Sequence, residues 1–268
     1  MKNTRIGFIG SGKMATALIK SILDARITTN KNIITSDKNS NNLIKIKKAA
    51  KINVTTNNKD VVKKADIIFL AVKPQDIRSV LQEIRKEVTK KHLIVSIAAG
   101  IKLKFLQSIL KRKKIIRVMP NINCLVGEMA AGFSAGKHAT KKDISNVSEI
   151  LSSGGVAFYV DEKLIDALSV ISGSGPAFFA YFIQSFAEEG IKKGIPRKIA
   201  YDLAAKTALG TGKMLLDTDF TTKDVIKMVT SKKGTTLEGL KVLDKSKAKK
   251  IITKAYNAAY KRSKELGK

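Results

Sequence analysis

Short runs of β-branched and other apolar residues recur through the first half of the chain, at 6–9, 33–35, 67–72, 93–98 and 115–118. Each run is apolar on both alternating faces, as a strand covered on both sides requires, and each is flanked by a segment long enough for a helix. This rhythm predicts an α/β fold whose N-terminal part is a Rossmann-type, doubly wound, mainly parallel sheet. Runs at 129–134 and 156–160 add one or two strands, with a short helix at 141–151 between them. Beyond residue 161 the period changes to that of helices. A long apolar helix at 176–193 is stopped by Gly194, and Pro196 sits where a first-turn proline opens a helix running to about 216. Further helices are predicted at 222–230, 235–242 and 247–265. The expected organisation is a dinucleotide-binding domain over 1–160 and an all-helical domain over 161–268. The 176–193 helix is apolar nearly all round, which predicts burial on several sides, as against a second subunit.

Gly10-Ser11-Gly12-Lys13-Met14-Ala15 follows the first strand and opens a helix, a G-x-G-x-x-A sequence in the setting a dinucleotide fold requires. The glycines permit a tight turn, and a pyrophosphate then meets the free N–H groups and positive end of the helix. Asp37 lies at the end of the second strand, where an acid accepts hydrogen bonds from ribose hydroxyls and favours NAD(H). Thr35, Ser36 and Lys38 adjoin it and suit a 2′-phosphate, so NADPH and NADH both stay open, as does a plain turn role for Asp37. Ala71-Val72-Lys73-Pro74 and Ser96-Ile97-Ala98-Ala99-Gly100 end two further strands, where small residues let a cofactor approach the backbone.

Ser172-Gly173-Ser174-Gly175-Pro176-Ala177 and Ser231-Lys232-Lys233-Gly234-Thr235-Thr236 each lead into a helix. Their hydroxyls and helix N-terminal N–H groups suit a small carboxylate, and suit simple N-capping equally. No Ser-His-Asp set or carboxylate pair stands out, so the chemistry is expected to come from the cofactor, with no metal.

Composition narrows the partners. A chain 44% hydrophobic and 27% charged is neither disordered nor collagenous nor disulfide-stapled. The net charge of +29 raises nucleic acid as a partner. Yet only eight of the 51 basic residues are arginine, aromatic residues make up 6% and tryptophan is absent, a poor set for base reading or stacking. The charge therefore reads as a lysine-enriched solvated surface, with nucleic-acid binding as a minor alternative. Cys124 is the only cysteine, which precludes an intrachain disulfide and fits a reducing compartment. With no leader pattern, and 176–183 as the longest apolar stretch, a cytoplasmic protein is expected.

Taken in order, the glycine turn, the 71–74 run, Arg117-Val118-Met119-Pro120-Asn121, the 172–177 loop and the threonine-rich 231–236 loop resemble pyrroline-5-carboxylate reductase over essentially the whole chain. The resemblance implies a Rossmann domain and a helical domain that interleaves with a partner's to form a homodimer, often assembled further. It also implies reduction of 1-pyrroline-5-carboxylate to L-proline with NADPH or NADH. Carried over by position, Ile9, Gly10, Ser11, Gly12, Lys13, Met14, Asn58, Ala71, Val72, Lys73, Pro74, Ile97, Ala98 and Ala99 contact the dinucleotide. Ser172, Ser231, Gly234, Thr235 and Thr236 are the substrate-side residues, with Thr236 nearest in role to the imine nitrogen. Two departures fall on that side. Lys232 and Lys233 replace the family's Pro-Gly, removing a turn-setting proline and a glycine expected to permit close packing, and Ile122-Asn123 replaces its Thr-Pro. Lys232 or Lys233 is expected to compensate by attracting the carboxylate. A related reductase of another imine, or of a 3-hydroxyacid, is the main alternative. The 3-hydroxyacid enzymes carry a Lys and an Asn one helical turn apart after their glycine-rich loop, and no such pair follows Ser174 here.

Overall fold

Alternating apolar runs and amphipathic helices build an eight-stranded sheet in the computed structural model, which describes residues 1–267. The elements of the sheet region are β1 (Ile6–Ile9), α1 (Lys13–Asp24), β2 (Ile33–Ser36), α2 (Ser40–Ala50), β3 (Asn53–Thr55), α3 (Asn58–Lys64), β4 (Ile67–Leu70), α4 (Ile77–Ile84), β5 (Leu93–Ser96), α5 (Leu103–Ile109), β6 (Lys114–Met119), β7 (Met129–Ala135), α6 (Lys141–Ser152) and β8 (Gly155–Tyr159). Helices follow: α7 (Glu162–Leu168), a turn of π-helix (Ser169–Ser174), α8 (Gly175–Lys192), α9 (Arg197–Asp217), α10 (Thr222–Met228), α11 (Thr235–Lys245) and α12 (Ala248–Leu266).

The strand order is β3-β2-β1-β4-β5-β6-β7-β8. All pairs are parallel except β6–β7. The order reverses between β1 and β4, which makes the crevice beyond their carboxyl ends the natural ligand site of such a sheet. Side chains alternate across the sheet and form a core on each face. Ile6, Phe8, Phe69, Val118 and Phe133 pack beneath α1 and α6, and Phe8 stacks on Phe69 with ring centres 4.8 Å apart. Ile9, Ile34, Ile68 and Leu70 pack on the other face beneath α3, α4 and α5. Burial of each such Phe, Ile or Leu contributes about 1.5–3 kcal/mol, which holds the strand ends in place for a site built on them. The short β3 was absent from the sequence expectation: it has a single apolar residue, Val54, between Asn53 and Thr55, too little for a recognisable strand run, and its pairing with β2 makes Asn53–Thr55 a strand.

Contact density separates two compact units, Met1–Gly173 together with the end of α12 from Tyr260, and Ser174–Ala259. The boundary expected near residue 161 marks the start of α7. That helix packs on β7, where a Cβ at Gly132 would sit 2.8 Å from Leu168 Cδ1, so the first unit continues to Gly173. In the second unit very little is buried among the described residues: Gly175, Ala187 and Ala200. Large apolar side chains on α8, including Phe179, Phe182 and Phe186, are exposed. The helical run from Glu162 to Lys192 is also long and apolar enough, by length and composition alone, to cross a membrane. The expectation based on 176–183 missed this because the run continues through the uncharged π-turn.

Candidate active site

β1 delivers the glycine turn to the crevice. Gly10 takes φ +98°, a left-handed conformation open to glycine, and its N–H donates to the Ser36 carbonyl at 2.8 Å. The turn lies tightly against the next strand: Ala71 N–H donates to Ile9 at 2.8 Å, and a Cβ on Gly10 would lie 2.6 Å from the Ala71 carbonyl oxygen. Gly12 caps α1 with no side-chain hydrogen bond, and a Cβ placed there would meet nothing within 4 Å. The start of α1 is thus uncapped by any side chain and uncrowded at Gly12, the arrangement in which the first N–H groups of a helix accept a pyrophosphate, so the residues fit a dinucleotide. Ile9 is fully buried, Ser11 is buried, and Lys13 and Met14 begin α1 with the lysine exposed.

Asp37 turns toward this loop. Its Oδ2 accepts from Ser11 N–H at 2.9 Å, Ser11 Oγ at 2.8 Å and Asn42 Nδ2 at 3.3 Å, while Oδ1 accepts from Asn39 N–H at 2.8 Å. The carboxylate thereby braces the glycine turn. Burial alone raises its pKa, but hydrogen bonds from Asn39, Ser11 and Asn42 outweigh that and hold it below the ordinary value. A folded pKa lower than the unfolded one adds stability that is complete above the unfolded value and is lost as pH falls through the folded one. Denaturation midpoints of wild type and Asp37→Asn are therefore expected to differ by a constant amount above about pH 5 and to converge below the ordinary carboxylate value of about 3.9. A gap independent of pH would refute the brace. Ser36 is fully buried, and its hydroxyl donates to Asn58 Oδ1 at 2.7 Å, while Asn58 Nδ2 donates to Glu83 at 2.8 Å. Lys38 is exposed, 3.4 Å from Asp76.

The other dinucleotide-side residues end neighbouring strands. Ala71 and Val72 are half-buried after β4, and Lys73 and Pro74 are exposed. Ile97, whose N–H donates to Leu70 at 3.2 Å, is half-buried after β5, Ala98 is buried and Ala99 is exposed. With the glycine turn and Ser36–Asp37 they stand at the carboxyl ends of the adjacent strands β2, β1, β4 and β5, while Asn58 opens α3 after β3.

The substrate-side residues fall in both units. Ser172 lies in the π-turn of the first, its Oγ donating to the Leu168 carbonyl at 3.1 Å. In the second, residues 231–234 form a turn closed by Gly234 N–H to Ser231 O at 3.0 Å, and Gly234 caps α11 with no side-chain hydrogen bond. Thr235 and Thr236 open that helix. Lys233 takes φ +62° as third residue of the turn while Lys232 does not have positive φ, which defines a type II turn. Pro-Gly is the preferred central pair of such a turn, so backbone conformation, rather than the close packing expected from sequence, accounts for the family's glycine. A left-handed non-glycine residue costs about 1–2 kcal/mol, part of which glycine returns as chain entropy. Lys233→Gly is accordingly expected to stabilise the chain by about 0.5–1 kcal/mol, read from the denaturation midpoint. A destabilised variant would overturn this account. Ile122 and Asn123 lie in a turn of 3₁₀ helix, Ile122 exposed.

One buried cluster escaped the sequence reading. Arg117 on β6 bonds Glu162 and Asp166 of α7 at 3.1 and 3.3 Å. The only local signal was two acids four residues apart on one helix face. Among the described residues, no group of three or more His, Cys, Asp or Glu side chains is placed to hold a metal ion.

A 3-2-1-4-5-6 parallel order, a glycine turn opening onto an uncapped helix and a helical unit with exposed apolar faces define a nucleotide-dependent oxidoreductase with a helical association domain. Residues 5–100 match a family described as "NADP oxidoreductase coenzyme F420-dependent", and residues 162–266 match "Pyrroline-5-carboxylate reductase dimerisation". The pyrroline-5-carboxylate reductase of Methanosarcina acetivorans is 42% identical over 269 residues, covering 100% of both chains. That of Arabidopsis thaliana is 35% identical, covering 98% of this chain and 95% of its own. The crystal structure of Plasmodium falciparum pyrroline carboxylate reductase with NADP bound superposes with a TM-score of 0.89 at 32% identity, and the Coxiella burnetii reductase with 0.94 at 29%, each over 100% of both chains. The chain belongs to the pyrroline-5-carboxylate reductase family.

Proposed function

We propose that this chain reduces 1-pyrroline-5-carboxylate to L-proline with NADPH or NADH, the last step of proline biosynthesis. The observation that carries the reading is full-length family similarity joined to a phosphate cradle that the chain's own side chains leave uncapped. When bound, the dinucleotide supplies the hydride that the C=N carbon accepts.

The chain's own part is to hold and orient. The N–H groups of α1, beyond Gly10, Ser11 and Gly12, take the pyrophosphate, and the strand-end residues 71–74 and 97–99 line the dinucleotide. On the substrate side Ser231, Gly234 and Thr235 hold the carboxylate at the N-terminus of α11 and the Thr236 hydroxyl hydrogen-bonds the imine nitrogen, while Ser172, in the first unit, is a further hydroxyl that the family resemblance assigns to the substrate side. That nitrogen enters protonated or takes its proton from water or the Thr236 hydroxyl, so no dedicated base is required. Positioning of two bound reactants is worth about 7–11 kcal/mol, enough to make orientation the main contribution of the protein. The exposed apolar helices are read as the contact of a homodimer, assembled further into a ring of dimers, in the cytoplasm and without a nucleic-acid partner.

The test is loss of reduced-dinucleotide absorbance with purified protein and 1-pyrroline-5-carboxylate, run separately with NADPH and NADH, with proline identified as product. Turnover with proline formed supports the reading and sets the cofactor preference. Dinucleotide binding without turnover rejects it in favour of another imine or carbonyl substrate.

A further inference from the structure

Arg117 on β6 is a buried guanidinium of the structure's first unit that is not among the residues assigned to either ligand. Its side chain is 4% exposed, between Glu162 Oε1 at 3.1 Å and Asp166 Oδ1 at 3.3 Å. Glu162 Oε1 also accepts the Leu103 N–H at 2.7 Å, at the start of α5. α5 is the helix that follows the 97–101 loop, so one carboxylate ties α7 to the segment carrying Ile97, Ala98 and Ala99. Asp166 in turn sits three residues before Ser169, whose hydroxyl donates to the Asp166 carbonyl at 2.8 Å where the π-turn begins.

β6 grips that turn at a second point. Residues two apart on a strand share a face, so Met119 lies on the same side as Arg117. A Cβ at Gly173 would stand 3.0 Å from Met119 Cε, which places the π-turn against the Met119–Pro120 step. A turn of π-helix is a rare, single-turn insertion into a helix, often found at functional sites. Here it is flanked by the ion pairs at the start of α7 and by the Met119 contact near its end. Ser96, the register partner of Arg117 on β5, adds an independent sign of a site under constraint: its hydroxyl is fully buried and has no hydrogen-bond partner among the described residues.

We propose that Arg117 is a positioning residue for the reaction, fixing through Glu162 and Asp166 both the 97–101 loop on the dinucleotide side and the π-turn that carries Ser172. The assignment rests on the reading under Proposed function. A guanidinium is suited to the task because its planar fork serves two carboxylates at once, which a lysine ammonium does less well. The N–H groups of α1, which take the pyrophosphate, lie outside the cluster, so breaking it disturbs only the 97–99 contacts and lowers dinucleotide affinity less than it lowers kcat/KM.

The test compares wild type, Arg117→Met and Arg117→Lys by amide hydrogen exchange, by dinucleotide Kd from fluorescence titration, and by kcat/KM for 1-pyrroline-5-carboxylate. For Arg117→Met the expected results are tenfold or faster exchange at Leu103 and at 169–173, a tenfold or greater fall in kcat/KM, and a dinucleotide Kd within threefold of wild type. Arg117→Lys recovers part of both losses. Should Arg117→Met fail to fold, Asp166→Asn, which keeps the volume, is expected to show the same split at about threefold. A folded variant with wild-type exchange at 97–103 and 169–173 overturns the proposal, as does a Kd that weakens in step with kcat/KM. Wild-type protein inactive on 1-pyrroline-5-carboxylate overturns the reading of the substrate instead, and the exchange measurement still decides whether Arg117 holds the two segments.

Discussion

Gly10→Val is expected to weaken dinucleotide binding by at least about 100-fold and to lower the denaturation midpoint as well. The added Cβ would lie 2.6 Å from the Ala71 carbonyl oxygen and 2.8 Å from its carbon. Both are backbone atoms of the segment that follows β4, which no rotamer change can move aside. The φ of +98° is a second obstacle, since side chains with a Cβ rarely adopt it. Left-handed strain of about 1–2 kcal/mol and overpacking of about 1–3 kcal/mol add to roughly 3 kcal/mol, about 100-fold in an equilibrium constant. The turn then either parts from β4 or changes path, and either response re-aims the N–H groups of α1. Gly12→Ala is the informative control. Its φ of −68° suits any residue and its Cβ meets nothing of the chain, so the midpoint should hold while affinity falls. Equal loss of stability in both variants, or unchanged affinity in Gly12→Ala, would remove the turn from the dinucleotide site.

Charging the exposed face of α8 is expected to convert a dimer into monomers. Phe179, Phe182 and Phe186 recur at helical spacing and are 65%, 45% and 73% exposed in the single chain. A monomeric surface rarely leaves so many aromatic side chains together in water. Covering a phenylalanine contributes about 1.5–3 kcal/mol, so Phe182→Glu with Phe186→Glu forfeits roughly 3–6 kcal/mol and adds the cost of burying two carboxylates. Dimer dissociation should rise by about 10³-fold or more. Sedimentation equilibrium at micromolar protein reads this directly. A wild-type monomer, or a double variant that still dimerises, would remove α8 from the interface. The same apolar surface gives the Glu162–Lys192 run its membrane-like composition, and the match of residues 162–266 to a dimerisation family explains it without a bilayer.

The local parts of this fold were legible in the chain because they rest on local physics. Apolar runs, glycine punctuation and helical period placed β1, β2, β4, β5, β6, β7 and β8 and the helices α6 and α8 to α12 close to their observed positions. The glycine turn was readable for the same reason, since strand, turn and helix are consecutive in sequence. The motifs of the later loops were enough to indicate the family, to which full-length similarity then assigned the chain.

Tertiary structure decided what depends on partners far away along the chain. β3 is a strand through its pairing with β2, because a three-residue segment with the single apolar side chain Val54 shows no strand period of its own. Asp37 stands where a ribose-binding acid is expected. Its oxygens turn to the loop because Ser11, 26 positions earlier, offers both an N–H and a hydroxyl. The left-handed Lys233 reveals itself only as a dihedral angle, since a lysine gives no sign of the glycine conformation it occupies. Arg117 meets acids 45 and 49 residues further on, a pairing no period or motif records. Sequence by itself indicated most of the elements, the glycine turn and the family. Only the folded chain determined where each polar side chain points, because a buried charge goes to whichever partners the packing of distant elements brings within hydrogen-bond reach.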